Sequence, residues 1–304
     1  MLFEISFYNL ADEPNGALFL RVSRQGLTST SSGGRKTLLL PGLPMRAIPT
    51  RDLPTLYYRT EDHFFTVTCP LRRRYGACIT AYFTDLFCNP SNLLLIRVGN
   101  APSGDAMTEP LGLIRRTCLA IQVVIHEEKV EGVHEALTEL GLQPAERTTT
   151  MALELSRRVP SVSERFSQIS LTRNLNDWAL PIGNAFAVPP EVVAHYQARH
   201  QRALDAGHSL HHFTLSVEER VACSLTLSLC DGVARLNDVG TIKEFRGRGH
   251  ATQLINAALL HASNLGAQRC FLEASMAGRS LYSTLGFKPL FDYQYFNRGA
   301  VAGT

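Results

Sequence analysis

The six residues Arg246-Gly247-Arg248-Gly249-His250-Ala251 combine two positions without side chains and two permanent cations, a composition suited to holding an anion against the main chain. An apolar, β-compatible run at 233–242 precedes them. After them Leu254, Ile255, Ala258, Leu259 and Ala262 recur at helical spacing, up to a stop at Leu265-Gly266. The glycines therefore fall at a strand-to-helix turn. There a phosphate can approach the backbone, and the first amides of the helix, which lack partners within it, point at that phosphate with the positive end of the macrodipole. A nucleoside-triphosphate loop fits poorly, since no Lys-Ser or Lys-Thr follows these glycines and Lys36-Thr37 has no glycine at the required earlier position. A dinucleotide fingerprint is also weak, because Thr252 stands where its third glycine belongs and the loop lies late in the chain. The remaining alternative is an Arg/Gly-rich surface turn.

The flanking residues decide between these readings. The spacing R-x-x-G-x-A from Arg246 to Ala251 resembles the pyrophosphate-binding signature of the GNAT superfamily of N-acetyltransferases, with Thr241-Ile242-Lys243-Glu244-Phe245 as its approach. Downstream, 269–274 (RCFLEA) is similar to that family's next strand. Residues 279–285 are similar to its short final helix, followed by Leu285-Gly286-Phe287 and a strand with Phe291, Tyr293 and Tyr295. Upstream, 213–217 and 221–229, with turns at Glu218-Glu219-Arg220 and Cys230-Asp231-Gly232, read as antiparallel strands leading into the motif. The resemblance covers the second half of the chain. It implies an α/β (α+β) GNAT fold, a central, mostly antiparallel mixed sheet flanked by helices, with acetyl-CoA as co-substrate and no metal.

Roles follow from the resemblance position by position. The backbone amides of Gly247, Arg248, Gly249, His250, Ala251 and Thr252 would take the pyrophosphate, with Arg246 and Arg248 adding charge or pointing to solvent. Val239, Gly240 and Thr241 would pair with the pantetheine arm like an added strand, one amide facing the thioester oxygen. Tyr282 matches the position that donates a proton to the CoA thiolate, the alternative being a packed aromatic. Glu273 matches a general-base position, with a salt-bridged carboxylate as its alternative and Asp238 or water as substitutes. The family's frequent Asn is missing from Ser275-Met276-Ala277-Gly278-Arg279, which leaves Ser275 as a substitute contact to CoA.

Composition sets the frame. A chain of 304 residues suits two domains, and 45% apolar content suffices for ordinary cores. No apolar stretch approaches the ~20 residues that span a bilayer, and 1–10 lacks the pattern of a signal peptide, so a soluble, cytoplasmic protein without membrane partners is expected. The seven cysteines include no C-x-x-C pair and are expected to be reduced. A net charge of +3 is too mild to imply nucleic acid, and Arg72-Arg73-Arg74 reads as a solvated turn. His208, His211 and His212 lack companion ligands and read as exposed turn histidines rather than a metal site.

A Pro/Ser segment at 158–163 suggests a boundary between 1–158 and 159–304. The second half opens with helical patterns: Trp178 and Leu180 near one start, and Pro189-Pro190-Glu191 before a run to Ala206, where the family places an acceptor wall. In the first half, 2–10 and 18–22 read as strands, 28–34 as a small-residue loop, 119–125 as a strand, 129–140 as a helix and 151–155 as a strand. Leu140-Gly141-Leu142-Gln143-Pro144 parallels Leu285-Gly286-Phe287-Lys288-Pro289, suggesting two GNAT-like halves in tandem, the first degenerate. Its nearest approach to the phosphate signature is Arg73-Arg74-Tyr75-Gly76-Ala77-Cys78, and Leu137 corresponds to Tyr282. The expected function is acetyl transfer to a primary amine, on a small molecule or a protein, by direct attack in a ternary complex. The alternative is an acyl-CoA sensor without catalysis.

Overall fold

The computed structural model describes residues 53–84, 92–98, 105–117, 120–155 and 168–298. The expected strands at 2–10 and 18–22, the loop at 28–34 and the boundary segment at 158–163 lie outside the described residues. The first elements are helix α1 (Leu53–Thr68), strands β1 (Leu71–Arg74), β2 (Ile79–Phe83) and β3 (Asn92–Ile96), α2 (Asp105–Arg116), β4 (Ile121–His126), α3 (His134–Glu139) and β5 (Leu142–Glu154). They are followed by β6 (Ile169–Thr172), α4 (Leu175–Phe186), α5 (Pro190–Asp205), β7 (Leu210–Val217), β8 (Arg220–Cys230), β9 (Val233–Thr241), α6 (His250–Asn264), β10 (Arg269–Ser275), α7 (Arg279–Thr284) and β11 (Lys288–Arg298).

Among the described residues the strands form one mixed sheet in the order β1-β2-β3-β4-β11-β5-β10-β9-β8-β7-β6. Its pairs are antiparallel except β3–β4 and β9–β10, each joined by a crossover helix, α2 or α6. Four strands lie outside the central β11–β5 pair on one side and five on the other, each run ending in a parallel pair. β11, the last strand, lies between β4 and β5, so that β5 rather than β11 lies beside β10. Pro144 and Pro289 both sit in this central β5–β11 ladder beside register shifts, where a missing N–H interrupts least pairing.

The two faces of the second half differ in chemistry. Alternation in β8 and β10 sends Cys223, Leu225, Leu227, Cys270, Leu272 and Ala274 to the side where α6 buries Leu254, Ile255, Ala258, Leu259 and Ala262. The spacing that predicts α6 is thus the stripe that packs it, each large aliphatic contributing roughly 1.5–3 kcal/mol on burial. The opposite face carries Ser224, Thr226, Ser228, Arg235 and Glu273 under α1, α4 and α5. Polar groups on a covered sheet face need partners, and Glu273 and Asp238 find theirs there, in Tyr57 and Tyr196.

Three local expectations are corrected. Residues 129–140 do not form one helix. A 3-10 turn at Glu127–Lys129, a bend at Val130 and a turn over 131–133 leave only the six residues of α3, with Gly132, a weak helix former, inside that turn. Arg72-Arg73-Arg74 is not a turn but part of the exposed strand β1, and the residues that close the β1–β2 hairpin are 75–78, with Tyr75 N–H bonded to Ile79 C=O at 2.9 Å and Gly76 at φ +105°. His212 is not an exposed turn histidine but a residue of β7, 1% exposed, since its alternation places it under α5. Leu137 does lie on α3, fully buried.

Candidate active site

At the end of β9, Ile242 and Phe245 are buried and anchor a 3-10 turn, Lys243–Phe245, that aims the chain at α6. Arg246 turns back toward the fold: its guanidinium donates to the carbonyls of Thr241 at 3.0 Å and Ala185 at 3.3 Å, tying the loop to β9 and to the end of α4. Arg248 lies 6.0 Å over the Phe245 ring. Gly247 at φ +73° and Gly249 at φ +81° adopt the left-handed conformation that glycine favours, and a Cβ at either would meet no atom within 4 Å. The concave side of the loop is therefore open. Gln253 N–H makes the first helical bond, to Gly249 C=O at 3.1 Å, and no side chain caps the helix. The amides of His250, Ala251 and Thr252 precede that bond, free of intrahelical acceptors. Ala251 packs on the core, while both ring nitrogens of His250 are buried without partners.

Upstream of the loop the sheet opens. β9 and β10 pair only over 233–235 and 269–271, so beyond Arg235 the two strands separate. On its other side β9 bulges: the register passes from Thr226↔Asn237 to Ser224↔Gly240, which sets Asp238 and Val239 against Leu225 alone, with Asp238 at φ +57°. Gly240 is fixed by packing. A Cβ there would lie 2.9 Å from the Pro181 carbonyl oxygen, because α4 crosses β9 at backbone contact. Thr241 donates its hydroxyl to Cys223 Sγ at 3.2 Å, and burial pushes that thiol up to about 11.

Tyr282 projects from α7 into the core beside Cys223 and Cys270, its ring edge-on to Phe287 at 6.0 Å. Burial raises its phenol well above the ordinary value of 10, so it stays protonated at neutral pH. Gly278 makes room for it: a Cβ there would come within 3.1 Å of the ring. Ser275 accepts the Gly278 N–H at 3.3 Å and shapes the turn into α7.

Glu273 lies on the opposite face of β10 and is held from several directions. Its Oε1 accepts from Thr148 at 2.5 Å and from Tyr295, and its Oε2 accepts from Tyr57 at 3.3 Å, with Arg235 at 3.7 Å. Asp238 is less occupied. Tyr196 donates to Oδ1 at 2.6 Å, while buried Oδ2 has no hydrogen-bond partner and burial raises the carboxyl above its usual range.

Residues 175–287 match the model of the acetyltransferase (GNAT) family. They are a GNAT acetyltransferase domain. Over 86 residues the chain is 34% identical to the uncharacterized N-acetyltransferase YobR of Bacillus subtilis (strain 168). That stretch is 27% of this chain, and the chain spans about a third (35%) of that relative's length. A GCN5-related N-acetyltransferase from Kribbella flavida superposes with a TM-score of 0.58 at 13% identity, covering 82% of this chain and 98% of that one. A tandem GNAT protein from the clavulanic acid biosynthesis pathway gives 0.50 at 14% identity, over 73% and 78%. At such identities these structures share the fold.

The GNAT fold thus brings the loop 246–252, the open edge of β9, Ser275 and Tyr282 to one end of the domain, while Glu273 sits across the sheet among first-half residues. Sequence reasoning did not find Tyr57 and Thr148 at Glu273, or Tyr196 at Asp238. These contacts span 216, 125 and 42 positions of chain, and no local pattern announces them.

Proposed function

We propose that the chain is an acetyl-CoA-dependent N-acetyltransferase that carries the acetyl group to a primary amine by direct attack in a ternary complex. The observation that supports it best is the open, uncapped glycine cradle placed at the end of a strand whose inner edge has lost its neighbour. The residues present fit acetyl-CoA: the amides of 247–252 face space that a pyrophosphate can fill, and Val239, Gly240 and Thr241 present main chain for the pantetheine arm. The acceptor arrives as an ammonium and loses one proton to a base on the α4/α5 side. Its nitrogen bonds to the thioester carbon as the carbon–sulfur bond breaks; Tyr282 gives the departing sulfur a proton and regains one from the new amide nitrogen. One proton is released overall. Glu273, with its oxygens engaged by three hydroxyls and Arg235, is better suited to fastening the two halves than to taking that proton.

In this reading 159–304 is the catalytic half and 1–158 a degenerate GNAT-like partner, which adds α1 and β5 to the acceptor side and binds no second cofactor. The five free cysteines among the described residues fit a reducing compartment such as the cytoplasm. The test is incubation with acetyl-CoA and a panel of amines while free thiol is followed. Amine-dependent thiol release is expected. Tight acetyl-CoA binding without release on any amine would instead make the protein an acyl-CoA sensor.

A further inference from the structure

The stretch 240–246 joins the open edge of β9 to the glycine cradle, and α4 grips it at three points. The Pro181 carbonyl oxygen lies 2.9 Å from where a Gly240 Cβ would stand, so helix and strand touch through main chain. Asn184 Oδ1 accepts the Lys243 N–H at 3.0 Å. The Arg246 guanidinium spans both elements, donating from Nε to the Thr241 carbonyl at 3.0 Å and from a terminal nitrogen to the Ala185 carbonyl at 3.3 Å. Ala185 lies in the last turn of α4, where carbonyls have no N–H within the helix to accept from and the macrodipole is negative. Gly183 is served by the Ala187 and Val188 N–H groups; Ala185 is served by a cation from the cofactor loop. On its far side α4 is pressed against α5: a Cβ at Gly183 would come within 3.1 Å of Val193, and Trp178 stacks on Tyr196. The helix is thus wedged between α5 and the stretch that leads to the cradle.

We propose that Arg246 and Asn184 are positioning residues that lock α4, a wall of the acceptor side, to the cofactor loop, so that wall and loop open as one body. The role given to α4 rests on the acetyl-transfer reading; the lock itself does not. Arg246 spends its charge on two carbonyls and on the negative end of α4, which leaves the main-chain amides of 247–252 to hold the pyrophosphate. A lysine there would keep the cation but not the fork that reaches both carbonyls, so charge and tie can be separated by experiment. Acetyl-CoA, binding only the formed loop, stabilises every element that must open with it by the factor 1 + [L]/Kd. With the lock in place that stabilisation reaches α4, and the amine meets a fixed wall once acetyl-CoA is seated.

Hydrogen exchange on the full chain reads the lock without any acceptor. With acetyl-CoA at about 100 times its Kd, the amides of α4 in the wild type should exchange up to ~100-fold more slowly, together with those of α6. The double variant Asn184→Ala/Arg246→Lys should cut the slowing of α4 to about threefold, while α6 keeps its own and calorimetric affinity stays within about threefold of wild type. If the double variant does not fold, Asn184→Ala alone breaks one tie outside the cofactor loop and should remove part of the α4 protection. Wild-type α4 that ignores acetyl-CoA, or variant α4 slowed as much as wild type, overturns the proposal. So does an Arg246→Gln variant that loses affinity tenfold or more and an Arg246→Lys variant that restores it, since Arg246 is then a phosphate ligand. In kinetics the double variant should raise the KM of the best amine by about tenfold and leave that of acetyl-CoA in place; an unchanged amine KM overturns the role of the lock. Wild-type protein that binds acetyl-CoA but acetylates nothing overturns the transfer reading instead, and exchange at α4 then decides the fate of the lock.

Discussion

Single side chains carry the sharpest expectations. Tyr282→Phe removes one hydroxyl from a packed ring, so acetyl-CoA affinity should hold while turnover falls by ~10²-fold or more; steady-state kinetics beside calorimetry separates the two, and unchanged turnover would leave Tyr282 a core aromatic. His212 bears on stability. Its folded value near 4 lies below the ordinary 6.5, so the stability linked to its neutral form is present above 6.5 and is lost as pH falls toward 4, by about 3 kcal/mol. His212→Gln should flatten the acid side of a urea-unfolding series between pH 7 and 4; an equally steep loss would assign that acid sensitivity to other groups. At this scale the sequence was legible only where a motif spoke. The glycines and Tyr282 are visible through family spacing, whereas Asp238 gains its meaning from Tyr196 on another element. His212 looks like one of three surface histidines until strand alternation buries it.

Elements were easier to read, because periodicity is written locally. α6, β8, β9 and β10 follow their apolar patterns, and α5 begins at Pro190 as the Pro-Pro-Glu start suggests. What escaped was contact between elements. Nothing around Gly240 shows that α4 crosses it, yet Gly240→Ala sets a methyl 2.9 Å from the Pro181 carbonyl and should lower stability by roughly 1–3 kcal/mol, read as a fall in the urea midpoint. Gly249→Ala is the complementary change. Its Cβ meets no protein atom within 4 Å, so the cost is only the roughly 1–2 kcal/mol of a left-handed alanine. The methyl would fill the cradle, and calorimetry should show acetyl-CoA binding lost in a folded protein; retained affinity would remove the cradle from the cofactor site.

For the molecule as a whole, the repeated Leu-Gly-x-x-Pro junction did not announce that β11 would lie between β4 and β5, since pairing partners far apart in sequence leave no periodic trace. The central ladder couples Leu142–Glu154 to Lys288–Arg298. Across the same seam Tyr57 and Thr148 hold Glu273, and Tyr293 donates to Glu61, itself paired with Arg97 at 2.7 Å. Residues 159–304 expressed alone should therefore lack a cooperative unfolding transition and regain one when 1–158 is supplied as a separate chain. Cooperative folding of the isolated fragment would show that this seam is dispensable. The same ladder constrains synthesis. While a ribosome is still making the second half, β4 and β5 wait with open backbone edges for a strand more than a hundred codons away, a template for wrong pairing between neighbouring nascent chains. Slow translation of the stretch between them would lengthen that exposure, so yield in a cell-free system should depend on elongation rate and on holdase chaperones more than the stability of the finished protein would suggest.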